Sequence, residues 1–265
     1  MNTVSPSPFL QALHQGAEQL WLQAQPQWPR LRVMVLPETD STNTQLMQAA
    51  RQGQRDTVVM TTAHQTAGRG RMGRQWQDQP GQALMFSVGM PLENPDPSGL
   101  SLAIGVALAE ALGAPVQLKW PNDLWVHHAG QWCKLGGILT EVAHDGQLAH
   151  VVVGVGINLL TPNRIADTSV PPIGLDALNK PHDAAQALPK LALAVLQALT
   201  QFMANGFGPW AARFDALDAL KGHIVQVSDG RQGVAMGVAR DGALQLDIAG
   251  HVQAIHSQEV SVRPC

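Results

Sequence analysis

The sequence predicts an α+β fold with a small β domain at its C-terminal end, and three observations carry that prediction. Apolar, β-branched runs at residues 31–36, 58–65, 83–90, 116–126, 132–142 and 151–160 read as strands. Segments with apolar residues at helical spacing separate and follow them, near residues 9–21, 46–50, 100–112, 184–202 and 209–220. From Gly222 the pattern changes to short alternating segments at 223–227, 234–239, 243–248, 251–255 and 259–262. Asp229-Gly230, Asp241-Gly242 and Ala249-Gly250 turn between them, and Asp-Gly turns at such short spacing indicate a small antiparallel barrel. The expected units are a helical extension over 1–30, a main domain over 31–217 and the barrel over 218–265. With 265 residues, 45% of them hydrophobic, the chain can bury a sizeable core.

Residues 1–6 are expected to fray. The first helix carries Leu10, Leu13, Ala17, Leu20 and Trp21 on its apolar stripe and stops at Pro26 and Pro29. No Lys or Arg precedes Arg30, so this single helix offers neither a helix-turn-helix grip on DNA nor the charged start of a secretory signal. A formal net charge of −3 gives no overall attraction to nucleic acid or an anionic membrane. No apolar run reaches the roughly 18 residues of a membrane span. The two cysteines, Cys133 and Cys265, make no disulfide framework or C-x-x-C site, which fits a cytoplasmic location.

After the strand at 31–36, Asp40-Ser41-Thr42-Asn43 precedes a helix (Leu46, Met47, Ala50) that Gly53 closes. One of these four suffices as an N-cap, and the others are free either for solvent or for the polar end of a ligand. The strand at 58–65 ends in His64, a strand-end residue, and Gln65. There follows Gly68-Arg69-Gly70-Arg71-Met72-Gly73-Arg74-Gln75-Trp76, in which three of the chain's 17 Lys and Arg residues fall within six positions. Glycines let successive N–H groups form an anion-binding concavity, and arginine adds a planar fork matched to phosphate or carboxylate. A phosphate-gripping loop between two strands is the expectation.

The strand at 83–90 leads through a proline-rich turn at 91–98 into a helix at 100–112 whose one acid is Glu110, so it is largely buried. In 116–126, two short strands flank Pro121-Asn122-Asp123, and Lys119 sits among apolar neighbours where a charge needs a partner. His127 and His128 read as exposed. Lys134 lies two residues before Gly136-Gly137, a pair inside a strand that suggests close approach by a ligand or another backbone. An edge lysine that deters aggregation is the alternative. The run 151–160 is a buried central strand whose Asn158 needs partners. Residues 161–172 are a loop, and the later helices show no chemistry.

Taken together, Gly68–Trp76, Lys119-Trp120-Pro121-Asn122-Asp123, Lys134-Leu135-Gly136-Gly137-Ile138-Leu139 and Gly154-Val155-Gly156-Ile157-Asn158, with Asp40-Ser41-Thr42-Asn43 ahead of them, resemble the biotin protein ligases in order and spacing. The likeness spans roughly 31–265 and is to the short, monofunctional form without a DNA-binding domain. It implies a class II synthetase-like catalytic domain, a mixed β-sheet with helices on one side, and an SH3-like C-terminal barrel. Met72 stands where many members carry a further arginine. Gly136 stands where some carry alanine, a small-for-small exchange expected to be tolerated.

The resemblance also implies a reaction: biotin and ATP give biotinyl-AMP, and the biotinyl group passes to a lysine of a biotin carboxyl carrier protein. Lys134 would bridge biotin's carboxylate and the α-phosphate, with Arg69 and Arg71 clamping that region and Arg74 on the pyrophosphate. Ser41, Thr42, Asn43 and Gln65 would receive the ureido head with Gly70, Gly136 and Gly137 nearby. Lys119, Asn122 and Asp123 would face the polyphosphate and Mg2+, with Asp123 also the candidate general base. Trp76 and Asn158 would take adenine by stacking and by amide hydrogen bonding. A homodimer is left open, and neither DNA nor a membrane is expected as a partner. Alternatives are a lipoate–protein ligase, whose apolar dithiolane would not need the polar quartet, and a non-catalytic biotin-binding sensor.

Overall fold

The computed structural model describes residues 7–76, 79–92, 96–144, 148–162, 170–256 and 262–264. The expectations for residues 1–6 and for parts of the segments 91–98, 161–172 and 259–262 therefore lie outside the described residues. Helix α1 (Pro8–Ala24) starts at Ser7, whose hydroxyl accepts from Leu10 N–H, with Pro8 in the first turn. Strand β1 (Arg32–Leu36), helix α2 (Thr42–Arg51) and strand β2 (Val58–Thr62) form a crossover unit, so β1 and β2 run parallel. Strands β3 (Ala83–Leu92), β4 (Val116–Lys119), β5 (Asp123–His128), β6 (Gln131–His144) and β7 (Ala149–Asn158) pair antiparallel, with helix α3 (Leu100–Leu112) between β3 and β4. The sheet order is β1-β2-β3-β7-β6-β5-β4, a mixed sheet.

Strand residues alternate between faces, and the two faces are covered differently. Val59, Leu84, Phe86, Val153, Val155 and Ile157 pack into the main core with α1, α3 and helix α4 (Ala184–Asn205). These three form the helical layer. Gly16 of α1 lets the α4 backbone come close, since a Cβ there would lie 3.1 Å from the Ala184 carbonyl oxygen. By length and composition α4 could cross a membrane, but its apolar residues lie in this core. The shorter α2 takes the opposite face, where Leu46, Met47 and Ala50 meet Val58, Met60, Ala143 and Val152. It covers only part of that face, and the part it leaves open becomes the site.

Helix α5 (Ala211–Leu217) leads to a five-stranded antiparallel sheet of β8 (Ile224–Val227), β9 (Gln232–Val238), β10 (Leu244–Ile248), β11 (His251–Ile255) and β12 (Val262–Pro264), ordered β11-β10-β9-β8-β12. Its turns at Asp229-Gly230, Asp241-Gly242 and Ala249-Gly250 have glycine at positive φ, as the hairpins require. The buried Trp120 indole donates to the Gly242 carbonyl at 3.0 Å, so this small sheet is fastened to the turn that carries Pro121, Asn122 and Asp123.

Candidate active site

The open part of the α2 face is a cavity of about 700 Å³. Register explains its floor. Lys119, Asp123, Gly137 and Gly156 stand opposite one another across β4, β5, β6 and β7, and Leu139, Gly154 and Ser87 make the next row. Glycine is required at two of these places. A Cβ on Gly154 would lie 2.3 Å from Asn43 Oδ1, and one on Gly156 would lie 2.7 Å from the Trp76 ring. The floor is thus bare backbone on which a carboxamide and an indole rest.

At one end lies a polar network. Ser41 caps α2, accepting from Thr44 N–H at 3.4 Å, and the first turn that follows buries Thr42 and Asn43. Gln65 Oε1 accepts from the Thr42 N–H at 2.8 Å and lies 3.2 Å from its hydroxyl. The Thr42 hydroxyl is 2.7 Å from that of Ser87, and Ser87 donates to Asn43 Oδ1 at 2.7 Å. Asn43 Nδ2 donates to the Leu139 carbonyl and to Glu141 Oε2, at 3.3 and 3.0 Å. Asp40 stays outside this set. Hydrogen bonds, first that from the Gln45 amide, hold its carboxyl below the ordinary value.

At the other end the charges collect. Lys134 Nζ is 2.7 Å from Asp123 Oδ1, and Lys119 Nζ is 3.8 Å from Oδ2 of the same carboxylate. Burial pushes the Lys119 ammonium below its ordinary pKa; Asp123 opposes the shift, while Lys134, Arg74 and Arg71 reinforce it. Burial likewise lowers Arg71, again opposed by Asp123. A bulge aims Lys134. The β5–β6 register shifts between Leu124 and Trp125, so Trp125 faces Lys134 while Leu124 faces Gly136 and Leu135 is extra. In an unbroken strand Lys134 and Gly137, three apart, would point to opposite faces; the extra residue turns Lys134 into the cavity and Leu135 into the core. The arginine loop closes on itself through Gly70 N–H to Arg74 O and Trp76 N–H to Gly68 O, at 2.7 and 3.0 Å. Its Met72 takes the left-handed region at φ 54°.

Of the residues expected from sequence, Ser41, Thr42, Asn43, Gln65, Arg69, Gly70, Arg71, Arg74, Trp76, Lys119, Asn122, Asp123, Lys134 and Gly137 line this one cavity. Two are not brought into it. Asn158 spends its amide N–H groups on the Lys134 and Ile173 carbonyls, at 3.3 and 3.1 Å, so it anchors the strand behind Lys134 and has no donor for an adenine. Gly136 is filled by its own fold: a Cβ would lie 2.5 Å from the Gly156 carbonyl oxygen and 2.6 Å from Ile157 Cδ1. Alanine there is not the tolerated exchange the sequence suggested, because a backbone atom must move. Asn122 is half committed, its Nδ2 donating to the Ile138 carbonyl at 2.8 Å.

A resident metal does not fit Asn122 and Asp123. No group of three or more His, Cys, Asp or Glu suited to a metal occurs among the described residues, and both Asp123 oxygens face lysines. A magnesium ion accompanying a nucleotide is bound mainly by phosphate oxygens and water, and so counts as part of the substrate. Sequence reading missed Ser87, Glu141 and the aromatic wall of Trp125 and Trp132, whose rings lie 5.7 Å apart. Ser87 left one signal, a hydroxyl within an otherwise apolar strand run.

Residues 35–158, which carry most of this mixed sheet and cavity, match the model of the Biotin/lipoate A/B protein ligase family. The Bifunctional ligase/repressor BirA of Escherichia coli is 34% identical over 247 residues, covering 87% of this chain and 74% of that protein. The Biotin--[acetyl-CoA-carboxylase] ligase of Mycobacterium tuberculosis is 33% identical, covering 88% and 89%. The biotin protein ligase of Aquifex aeolicus, solved with biotin and ATP, superposes with a TM-score of 0.75 at 26% identity, over 88% of this chain and 99% of that one. The chain belongs to the biotin protein ligases.

Proposed function

We propose that the protein activates biotin with ATP to biotinyl-5'-AMP and passes the biotinyl group to a lysine of a biotin carboxyl carrier protein. One observation carries this reading: a buried network of amide and hydroxyl groups and a cluster of five cations share a single cavity whose floor is opened by Gly137, Gly154 and Gly156. The network offers donors and acceptors in alternation, the pattern a ureido ring needs and a dithiolane does not use. The cations serve the first step. A biotin carboxylate oxygen bonds to the α-phosphorus as the bond to the bridging oxygen breaks, and pyrophosphate leaves with that bond's electrons. Two anions must meet for this, so positive charge aimed at the meeting point lowers the barrier.

Lys134 stands at that point, with Arg69 and Arg71 as clamps and Arg74 on the pyrophosphate side. Lys119 and Asn122 face the polyphosphate. Asp123 keeps the two ammoniums in place against their mutual repulsion. In the second step a neutral lysine amine attacks the acyl carbon, AMP departs, and the amine loses a proton, for which the Asp123 carboxylate, lining the cavity, is the candidate base. Trp76, lying over Gly156, provides a flat apolar surface for the nucleobase. Incubating the protein with radiolabelled ATP and either biotin or lipoate, and then adding a biotin acceptor domain, tests the proposal. Labelled biotinyl-AMP followed by biotinylated acceptor is expected. Lipoyl-AMP in its place would favour the lipoate reading, and binding without any adenylate would favour a sensor.

A further inference from the structure

We propose that Glu141, on β6, is a positioning residue that couples filling of the polar pocket to placement of the arginine loop; this deepens the ligase reading and rests on it. Glu141 lies outside the cavity wall and touches neither reacting atom, yet it joins the two halves of the site. Its Oε2 accepts from Asn43 Nδ2 at 3.0 Å and from Arg69 Nη1 at 3.3 Å, while Arg69 Nη2 meets Oε1 at 3.0 Å. The fork is therefore bidentate, which fixes the guanidinium plane as well as its distance. With Ser87 donating to Asn43, the Thr42 hydroxyl donates to Ser87, and the Thr42 backbone N–H carries the connection on to Gln65 Oε1. The chain from Gln65 to Arg69 is a single connected network.

Direction matters in such a chain. Ser87 donates to Asn43 Oδ1, which leaves the Asn43 amide group facing Glu141, and Gly154 is the vacancy that admits the carboxamide in this orientation. A ligand head that bonds Asn43 or Thr42 alters what Glu141 receives, and so changes its hold on Arg69. Arg69 belongs to the loop whose other arginines, Arg71 and Arg74, line the reacting end. Occupying the pocket thereby sets the loop before ATP is engaged. The Arg69 side chain is 48% exposed and that of Glu141 20%, so the link is neither buried enough to be needed for folding nor loose enough to be idle.

The test compares wild type, Glu141→Gln, Arg69→Gln and the double variant, each as the full chain. Trypsin cleavage after Arg71 and Arg74 is timed with and without biotin, and initial rates of biotinyl-AMP formation are measured against biotin concentration. Biotin is expected to protect the wild-type loop. In Glu141→Gln that protection should disappear and the KM for biotin should rise roughly fivefold, the equivalent of an ion pair worth about 1 kcal/mol, with a smaller change in kcat. Arg69→Gln should lose the same protection, with a larger fall in kcat because it also removes a clamp, and adding Glu141→Gln to it should change neither any further. Unchanged biotin-dependent protection in Glu141→Gln, or additive losses in the double variant, would overturn the coupling while leaving the ligase reading intact. A wild-type protein that binds biotin but forms no biotinyl-AMP would overturn the ligase reading and the coupling with it.

Discussion

Replacing Asp123 with asparagine separates two roles for this carboxylate. Its oxygens face Lys134 at 2.7 Å and Lys119 at 3.8 Å, and side-chain exposures of 15% for Asp123 and 37% for Lys134 place the first contact at the edge of solvent. A hydrogen bond to a charged group is worth roughly 1.5–3 kcal/mol when buried, and solvent at Lys134 reduces that to about 1–2. If that energy holds the Lys134 ammonium where the carboxylate and α-phosphate meet, Asp123→Asn should slow biotinyl-AMP formation by roughly 5–30-fold. Lys119 loses the one neighbour that raises its pKa and shifts further down. Two ammoniums left without their counter-ion should also cost about 1–3 kcal/mol of stability, or a few degrees in Tm. Single-turnover formation of labelled biotinyl-AMP, and transfer from pre-formed adenylate to an acceptor domain, are measured separately. Both should fall. Adenylate formation at the wild-type rate with transfer alone lost would refute the clamp and make Asp123 a base only.

Lys134→Ala should abolish most adenylate formation, a loss of about 10²–10³ in rate if it acts as one preorganised donor does; near-normal turnover in the same assay would show that the ammonium is not at the reacting centre. Gly154→Ala places a methyl 2.3 Å from Asn43 Oδ1 and must displace the carboxamide, so biotin binding measured by calorimetry should weaken by about 1–3 kcal/mol. Asp218, buried where the main sheet meets the small one, has its carboxyl raised from 3.8 to about 6, first by burial. The folded state therefore binds this proton more tightly than the unfolded state between those values, and stability falls as pH rises through that window, by at most roughly 3 kcal/mol. Asp218→Asn keeps an acceptor for the Leu220 N–H and should flatten that part of a denaturation-versus-pH curve, raising stability at pH 7.

The elements were legible because their signals are local. The strands at 31–36, 58–65 and 83–90 have β-branched apolar runs, α2 has its cap, and the Asp-Gly turns marked the small sheet. Which face a side chain takes was legible only where the strand is regular. Lys134 and Gly137 differ by an odd number of residues, so simple alternation separates them; only the bulge at Leu135 brings both to the cavity, and a bulge follows from pairing with β5, which no local pattern records. Glu141 was hidden for a related reason. Its value comes from a loop 72 positions earlier in the chain and a helix 98 positions earlier. Asn158 shows a different case: a polar residue in a core strand does need partners, and its amide N–H groups find them in the protein's own carbonyls.

The site is held together by the same mismatch that lets it work. Five cations line the cavity, Arg69, Arg71, Arg74, Lys119 and Lys134, and Asp123 is the single acid among the described lining residues. Glu141 offsets one more charge from the side. The remaining excess is unfavourable in a half-buried cleft: burial is the first cause of the lowered pKa values of Lys119 and Arg71, and neighbouring cations add to it. A carboxylate and a polyphosphate arriving together would remove that strain, whereas either alone would remove only part. The gain is shared between them: each anion bound lowers the positive potential left to attract the other, so the cations offset the repulsion between the two substrates rather than making one binding event favour the next. Asp123 and Glu141 limit this gain, since a substrate acid competes with them for the same cations. In return they hold Arg69, Lys119 and Lys134 in place, where these cations would otherwise repel one another before any substrate arrived.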